Sequence, residues 1–116
     1  MSGPRISDDP LYQLLREDDV EGFNVARSQG QPCDLAGCDF KGLDLRGLIL
    51  QNINIENAYF RSADLRGIDF RGCNLNGASF ADAKISGCFF PEEITAAEIQ
   101  LSVTMGTRIR HNLNKN

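Results

Sequence analysis

The sequence is short of the residues that most chemistry needs. It holds one histidine, His111, near the end of the chain. A Ser-His or Cys-His pair, or a histidine-bearing zinc site, would have to use that one residue. Neither G-x-S-x-G, a P-loop, HExxH, an EF-hand loop nor GxGxxG occurs. No run of about eighteen apolar residues exists, which excludes a membrane-spanning helix. Met1-Ser2-Gly3-Pro4-Arg5 opens no signal-peptide pattern. Charge of one sign is also scarce. Sixteen acids against twelve bases give a net charge of −4 and a pI near 4.9, which argues against a general nucleic-acid binder. At 116 residues, the chain fits one domain with a modest core.

A period of five dominates what is there. Leu35, Phe40, Leu45, Leu50, Ile55, Phe60, Leu65, Phe70, Leu75, Phe80, Ile85 and Phe90 are all large and apolar. Five matches neither the helical nor the strand period and marks a repeat architecture. Two residues before each lies a second apolar series, from Cys33 and Cys38 through Ala58 and Ala63 to Cys88. A mostly polar residue sits between them, so each unit reads in-out-in, a very short extended segment. Two corner residues follow, the second often Gly.

Sorting the large residues by steps of twenty gives four rows. Phe40, Phe60 and Phe80 form one, and Leu50, Phe70 and Phe90 another. Leu35, Ile55, Leu75 and Leu45, Leu65, Ile85 are aliphatic. Twenty residues per coil, four short sides and stacked aromatic ladders fit this pattern. Three coils at ~4.8 Å per layer would stand about 15 Å tall.

Ala63-Asp64-Leu65-Arg66-Gly67 resembles the consensus unit of the pentapeptide-repeat family, A-(D/N)-L-x-x, and Leu43-Asp44-Leu45-Arg46-Gly47 and Cys73-Asn74-Leu75-Asn76-Gly77 are close variants. The resemblance spans residues 33–90 and is to a small, bacterial-type member with helical caps. It implies a mainly β fold, a right-handed quadrilateral β-helix of three coils. Ile49, Tyr59, Lys84 and Phe89 depart from the pattern at the polar position. Leu43, Leu48, Ile53 and Ile68 depart at the small one, where their bulk should widen the coil or shift its turns.

All four cysteines occupy the small inward position, where a free thiol acts as a small hydrophobe. Cys33 and Cys73 share a row two coils apart, roughly 10 Å, too far for a disulfide. Reduced thiols suggest a cytoplasmic protein.

An open solenoid needs caps. Residues 1–8 read as a flexible start. Residues 9–30 read as a helical pair, with Asp9-Pro10 opening one helix and Asp18 or Asp19 the next. Pro91 stops the repeats. Residues 92–106 form the C-terminal segment, with Thr95 and Glu98 as a capping box for a helix over about 96–105 that ends at Gly106. Ile99, Leu101, Val103 and Met105 exceed what a lone surface helix needs. Some should cover the coil, and the rest either do the same or meet a second copy in a homodimer. Residues 107–116 read as a frayed tail, with a docking segment as the alternative.

No catalytic constellation, metal site or cofactor is expected, and the chain does not read as an enzyme. Attention turns to the outer surface. Lys41, Arg46, Arg61, Arg66 and Arg71 follow the large inward residues as a basic stripe that includes Tyr59. It reads either as a solvated charge ladder or as a dock for an acidic protein, with Tyr59 as anchor. Ile49 and Phe89 form a second candidate, as an interface or as core beneath the terminal helices. The leading expectation is a non-enzymatic protein–protein interaction module with an unidentified protein partner and no direct nucleic acid. A small adaptor or regulatory subunit is one alternative. The family resemblance implies another, a dimeric DNA mimic acting on a type II topoisomerase such as gyrase. Seven acids against six bases over 33–90 are few for such a mimic.

Overall fold

The computed structural model describes residues 3–112. Parallel bridges join Asp39 to Tyr59, Asp44 to Asp64, Asn54 to Asn74, Tyr59 to Ser79, Asp64 to Lys84 and Asp69 to Phe89. Every one of these pairs is twenty residues apart, the spacing the four rows require. The chain is therefore a β-helix, built of isolated bridges rather than long strands. Within it Phe40 N–H donates to the Tyr59 carbonyl, and Phe60 N–H to that of Ser79, both at 2.8 Å.

The rows appear as ladders. Phe40, Phe60 and Phe80 stack at 5.1 Å between ring centroids, and Phe70 stacks on Phe90 at 5.4 Å. Rings of the two rows meet edge to face, Phe60 on Phe70 at 6.0 Å and Phe70 on Phe80 at 5.6 Å. Such pairs add about 0.5–1.5 kcal/mol each beyond burial.

The polar position has a structural task. Asp34, Asp39, Asp44, Asn54, Asp64, Asp69 and Asn74 each accept a hydrogen bond from the backbone N–H two residues on, at 2.9–3.3 Å. Asp and Asn side chains combine that reach with a strong acceptor, so they close the corner. The next residue turns left-handed. Asn52, Asn57, Ser62 and Asp82 take φ between 56° and 62° where other corners use Gly. Gly77 has a second reason, since a Cβ there would lie 1.9 Å from Asn57 Oδ1.

Leu48, Ile53 and Ile68 point inward and are buried. Their bulk coincides with a gap: among the described residues no bridge joins Ile49 to Asp69, and a groove of about 480 Å³ opens there.

At the first-coil end lie α1 (Pro10–Arg16) and α2 (Val20–Ser28). Asp9 caps α1 and Asp19 caps α2 through side-chain oxygens. Leu11, Tyr12, Leu15 and Phe23 fill the coil mouth, and Tyr12 meets Phe40 edge to face at 5.5 Å. The Asn24 amide closes an open edge, donating to Gly47 carbonyl at 2.9 Å and accepting from Ile49 N–H at 3.0 Å. At the last-coil end, α3 (Ala96–Met105) starts at Thr95 and stops at left-handed Gly106. Thr95 accepts from Glu98 N–H as a capping box requires, but the Glu98 carboxylate turns to Arg110 instead.

Both terminal segments differ from expectation. Arg5, placed in a flexible start, bridges Cys38, with N–H to Gly37 carbonyl and its own carbonyl accepting from Asp39, each at 2.9 Å. Residues 107–112, expected to fray, run back along the coil. Arg108 bridges Ser79 in antiparallel sense, and Ile109 and Gly77–Ala78 exchange bonds of 2.7 Å. The physical cause is one face of the coil, Asp39–Tyr59–Ser79, whose two open edges each need a partner. Tail residues 113–116 and Met1–Ser2 lie outside the described residues.

Candidate interaction surface

The basic stripe divides in two. Arg46, Arg66 and Arg71 each fold back onto the aspartate two residues earlier through paired bonds of 2.7–2.9 Å. Asp64 also receives Arg46 at 3.4 Å. The hydrogen-bonded Arg66 holds the Asp64 carboxyl down to about 2, and Arg71 does the same for Asp69. These pairs are exposed, and each contributes little to stability. Lys41 and Arg61, stacked on successive coils, make no ion pair among the described residues.

Tyr59 is no free anchor. The Arg108 guanidinium lies over its ring at 5.0 Å and donates to its hydroxyl. A second bond from Arg108 reaches the Gly77 carbonyl at 3.0 Å.

Ile49 and Phe89 sit on one side of the coil with Asp69 between them, and they are not under the terminal helices. Ile49 is 58% exposed and Phe89 54%. Arg71 lies 4.5 Å from the Phe89 ring centroid while still holding Asp69. This side therefore presents two large apolar groups, a neutralised ion pair and a shallow groove.

The sequence matches the family described as "Pentapeptide repeat region" over residues 24–101. The chain belongs to the pentapeptide-repeat family. No curated protein matches it. Among solved structures it is similar to a pentapeptide repeat protein from the thylakoid lumen of Arabidopsis thaliana, with 30% identity and a TM-score of 0.32. The match covers 57% of this chain and 58% of that one, so the chain spans little more than half of its solved relative.

In this pentapeptide-repeat chain Cys38 and Cys73 are buried, and Cys33 and Cys88 are half-buried against the core. Cys73 donates to the Leu50 carbonyl at 3.2 Å, and Cys88 to that of Leu65 at 2.9 Å. Burial pushes Cys33 up to about 12, and Cys38 and Cys73 to about 11. Such thiols are poor nucleophiles. Cys73 and His111 line one groove, yet both imidazole nitrogens are engaged. Leu75 N–H donates to Nδ1 at 3.2 Å, which leaves the proton on Nε2, facing Glu93 Oε1 at 3.1 Å. Among the described residues no cluster of three or more His, Cys, Asp or Glu could hold a metal, and no helix is long and apolar enough to cross a membrane.

The buried His111 and the Arg108 clasp escape a residue-by-residue reading. Their signal is an alternation, Arg108-Ile109-Arg110-His111, in which Ile109 and His111 are buried and both arginines exposed. That is a strand one face of which meets the coil.

Of the residues expected to cap or dimerise, Ile99 is buried and Val103 half-buried. Leu101 and Met105 point away from the coil, 42% and 71% exposed.

Proposed function

We propose that this chain is a non-enzymatic protein–protein interaction module, its coils forming the right-handed, quadrilateral, three-coil β-helix that the repeats imply. The observation that carries the reading is the exposed pair Ile49 and Phe89 on one rigid side. Large apolar groups beside a groove are what a partner covers. Several other side chains of the repeat are committed: Asp44, Asp64 and Asp69 to corners, Arg46, Arg66 and Arg71 to those acids, and Cys38 and Cys73 to the core. Four free thiols favour a reducing, cytoplasmic setting.

Docking of an acidic partner falls to Lys41 and Arg61, since Arg46, Arg66 and Arg71 already hold carboxylates. The DNA-mimic alternative draws no support from this charge arrangement. Asp44, Asp64 and Asp69 carry their own counter-ions, and the whole molecule measures 34 × 32 × 30 Å, far from a long rod.

The test is affinity capture with three forms of the protein: wild type, Ile49→Ser/Phe89→Ser, and Lys41→Glu/Arg61→Glu. A partner held by the wild type and by the charge variant, but lost by the apolar variant, is the expected result. Retention of every partner by the apolar variant would remove that side from consideration.

A further inference from the structure

The first coil ends in a row of backbone groups that point away from the second coil. They belong to the middle residue of each side, Asp34, Asp39, Asp44 or Ile49. The flanking residues serve the coil above. On the side of Asp44, Leu45 N–H donates to the Asp64 carbonyl at 3.0 Å, and the Leu43 carbonyl accepts from Asp64 N–H at 2.9 Å. Three of the four middle N–H groups find a partner at the first-coil end. Asp34 donates to Asp9 Oδ2 at 3.1 Å, Asp39 to the Arg5 carbonyl at 2.9 Å, and Ile49 to Asn24 Oδ1 at 3.0 Å. Asp44 is the exception. Among the described residues, neither its backbone N–H nor its carbonyl makes a hydrogen bond.

The edge is left open because the chain turns away from it. In the register that sets Arg5 beneath Cys38, the residue beneath Asp44 would be Leu11, which already belongs to α1. A groove of about 620 Å³ remains there, lined by Asp18, Asp19, Val20, Glu21, Asp44 and Arg46. A strand edge without its own partner is a template for another chain.

Charge decides what can enter. Arg46 is committed to Asp44 and Asp64. Asp18, Asp19 and Glu21 are exposed and make no ion pair among the described residues. A segment lying under Asp44 therefore meets three uncompensated carboxylates. The same end already holds one basic residue in this manner. Arg5 exchanges two backbone bonds of 2.9 Å with Gly37 and Asp39, and its guanidinium reaches the Ala36 carbonyl at 2.6 Å and Asp34 at 3.4 Å.

We propose that the Asp44 edge is a docking site for an extended basic segment of a partner protein, which adds one short strand beneath the first coil. Asp44 N–H donates to a carbonyl of that segment, and the Asp44 carbonyl accepts from one of its N–H groups. Lysine or arginine side chains of the segment meet Asp18, Asp19 and Glu21. Main-chain bonds provide the hold, and the carboxylates provide the selection. One rung is a small contact, so the affinity is weak and its electrostatic share falls with salt. The site lies on a different side of the coil from Ile49 and Phe89, so it goes beyond that surface and fails or stands separately from it.

The probe is the capped peptide acetyl-Lys-Thr-Lys-Thr-Lys-amide, titrated at low salt to about 5 mM and followed by NMR. The Asp44 amide resonance is expected to shift, and its hydrogen exchange to slow about tenfold at saturation. The same peptide N-methylated along its backbone keeps every charge but loses every backbone donor. It should bind on the order of 10-fold more weakly and leave Asp44 exchange unchanged. The Glu-Thr-Glu-Thr-Glu counterpart should not bind. Asp18→Asn/Glu21→Gln keeps both side-chain shapes, and Asn tolerates the φ of 63° at that position. This variant should bind the lysine peptide on the order of 10-fold more weakly than wild type. Circular dichroism checks its fold, and should it fail to fold, the three peptides still decide the matter on the wild type. An Asp44 resonance that does not move overturns the proposal. Equal binding of the N-methylated peptide overturns it by reducing the contact to charge alone, and equal binding of the glutamate peptide, or by the folded variant, removes the charge selection. A resonance that moves with protein concentration in the absence of peptide would give the edge to a second copy of the chain, and that also overturns it.

Discussion

The two ends of the coil are closed to different degrees. At the first coil Leu11, Tyr12, Leu15 and Phe23 are each no more than 1% exposed. Two helices and the Arg5 strand share the work there, and Asn24 and Asp9 tie down the edge peptides. At the last coil a single helix and a return strand do the same task. Ile85, Cys88 and Phe90 remain half-buried, and Leu101 and Met105 stay outside. Both ends stop the ladder from adding further coils, as a solenoid must. One end is finished, whereas the other retains apolar surface. Loss of stability on truncating core side chains should therefore grade from the middle coil outward.

The steepest part of that gradient is the Phe40–Phe60–Phe80 ladder. Phe60 touches a ring above, a ring below and Phe70 beside it. Phe60→Ala is expected to cost about 3–5 kcal/mol in chemical denaturation, because the rigid coil cannot collapse onto the cavity. Phe90, half-buried with no ring above it, should cost roughly half as much on the same change. Equal losses would mean that the last coil is as well closed as the middle, and the contrast between the ends would fail.

Ile109 probes the return strand. Its side chain is buried and its backbone bonds to residues 77 and 78. Ile109→Ala should lower stability by about 2–4 kcal/mol. A loss near zero would restore the frayed tail that the sequence alone suggests.

These two sites also mark what was legible in the sequence. The coil of twenty, the aromatic ladders and the inward cysteines follow from side-chain period alone. That period is a property of every unit, so each repeat confirms the next. Helix ends were legible too, because Asp9, Asp19, Thr95 and Gly106 act on neighbours within a few residues. The return strand was not. Arg108 meets Ser79 and His111 meets Leu75, contacts across some thirty residues that no local pattern encodes. The seating of Tyr12 was not legible either, for a related reason: its hydroxyl reaches the Asp39 carbonyl at 2.6 Å, across 27 residues of sequence. The basic stripe was legible as a spacing, Asp then Arg two residues on. Its near-neutrality needed the corner geometry, which folds each guanidinium back on its own aspartate.

Tyr12→Phe examines the finished end at the level of one hydrogen bond. The ring and its contact with Phe40 remain, and only the donor to Asp39 is lost. About 1 kcal/mol of destabilisation is expected. A neutral outcome in a thermal melt would show that the Asp39 carbonyl finds water instead, and that the first-coil end is wetter than its packing implies.

The smallest effect separates the ends by pH. Glu98 and Arg110 join α3 to the return strand, with Arg110 N–H donating to Glu98 Oε2 at 2.8 Å. Hydrogen bonds from the Arg110 side chain hold the Glu98 carboxyl below its ordinary 4.5. A carboxyl whose folded pKa lies below its unfolded value binds fewer protons when folded. Its contribution is therefore complete above about 4.5 and is lost as pH falls through the lowered folded value. The link between α3 and the return strand should therefore loosen on acidification from neutral pH, before the backbone bonds of the Asp39–Tyr59 pairing, which involve no carboxylate side chain. Amide exchange, corrected for the intrinsic pH dependence, reports this directly: protection at Arg110 should fall before protection at Asp39 or Tyr59. In Glu98→Gln the charge is gone at every pH. Arg110 should then be less protected at neutral pH and lose little more in acid. Should Arg110 in the wild type keep its protection down to the acid unfolding of the whole protein, the ion pair does not govern the return strand, and packing of Ile109 alone holds it in place.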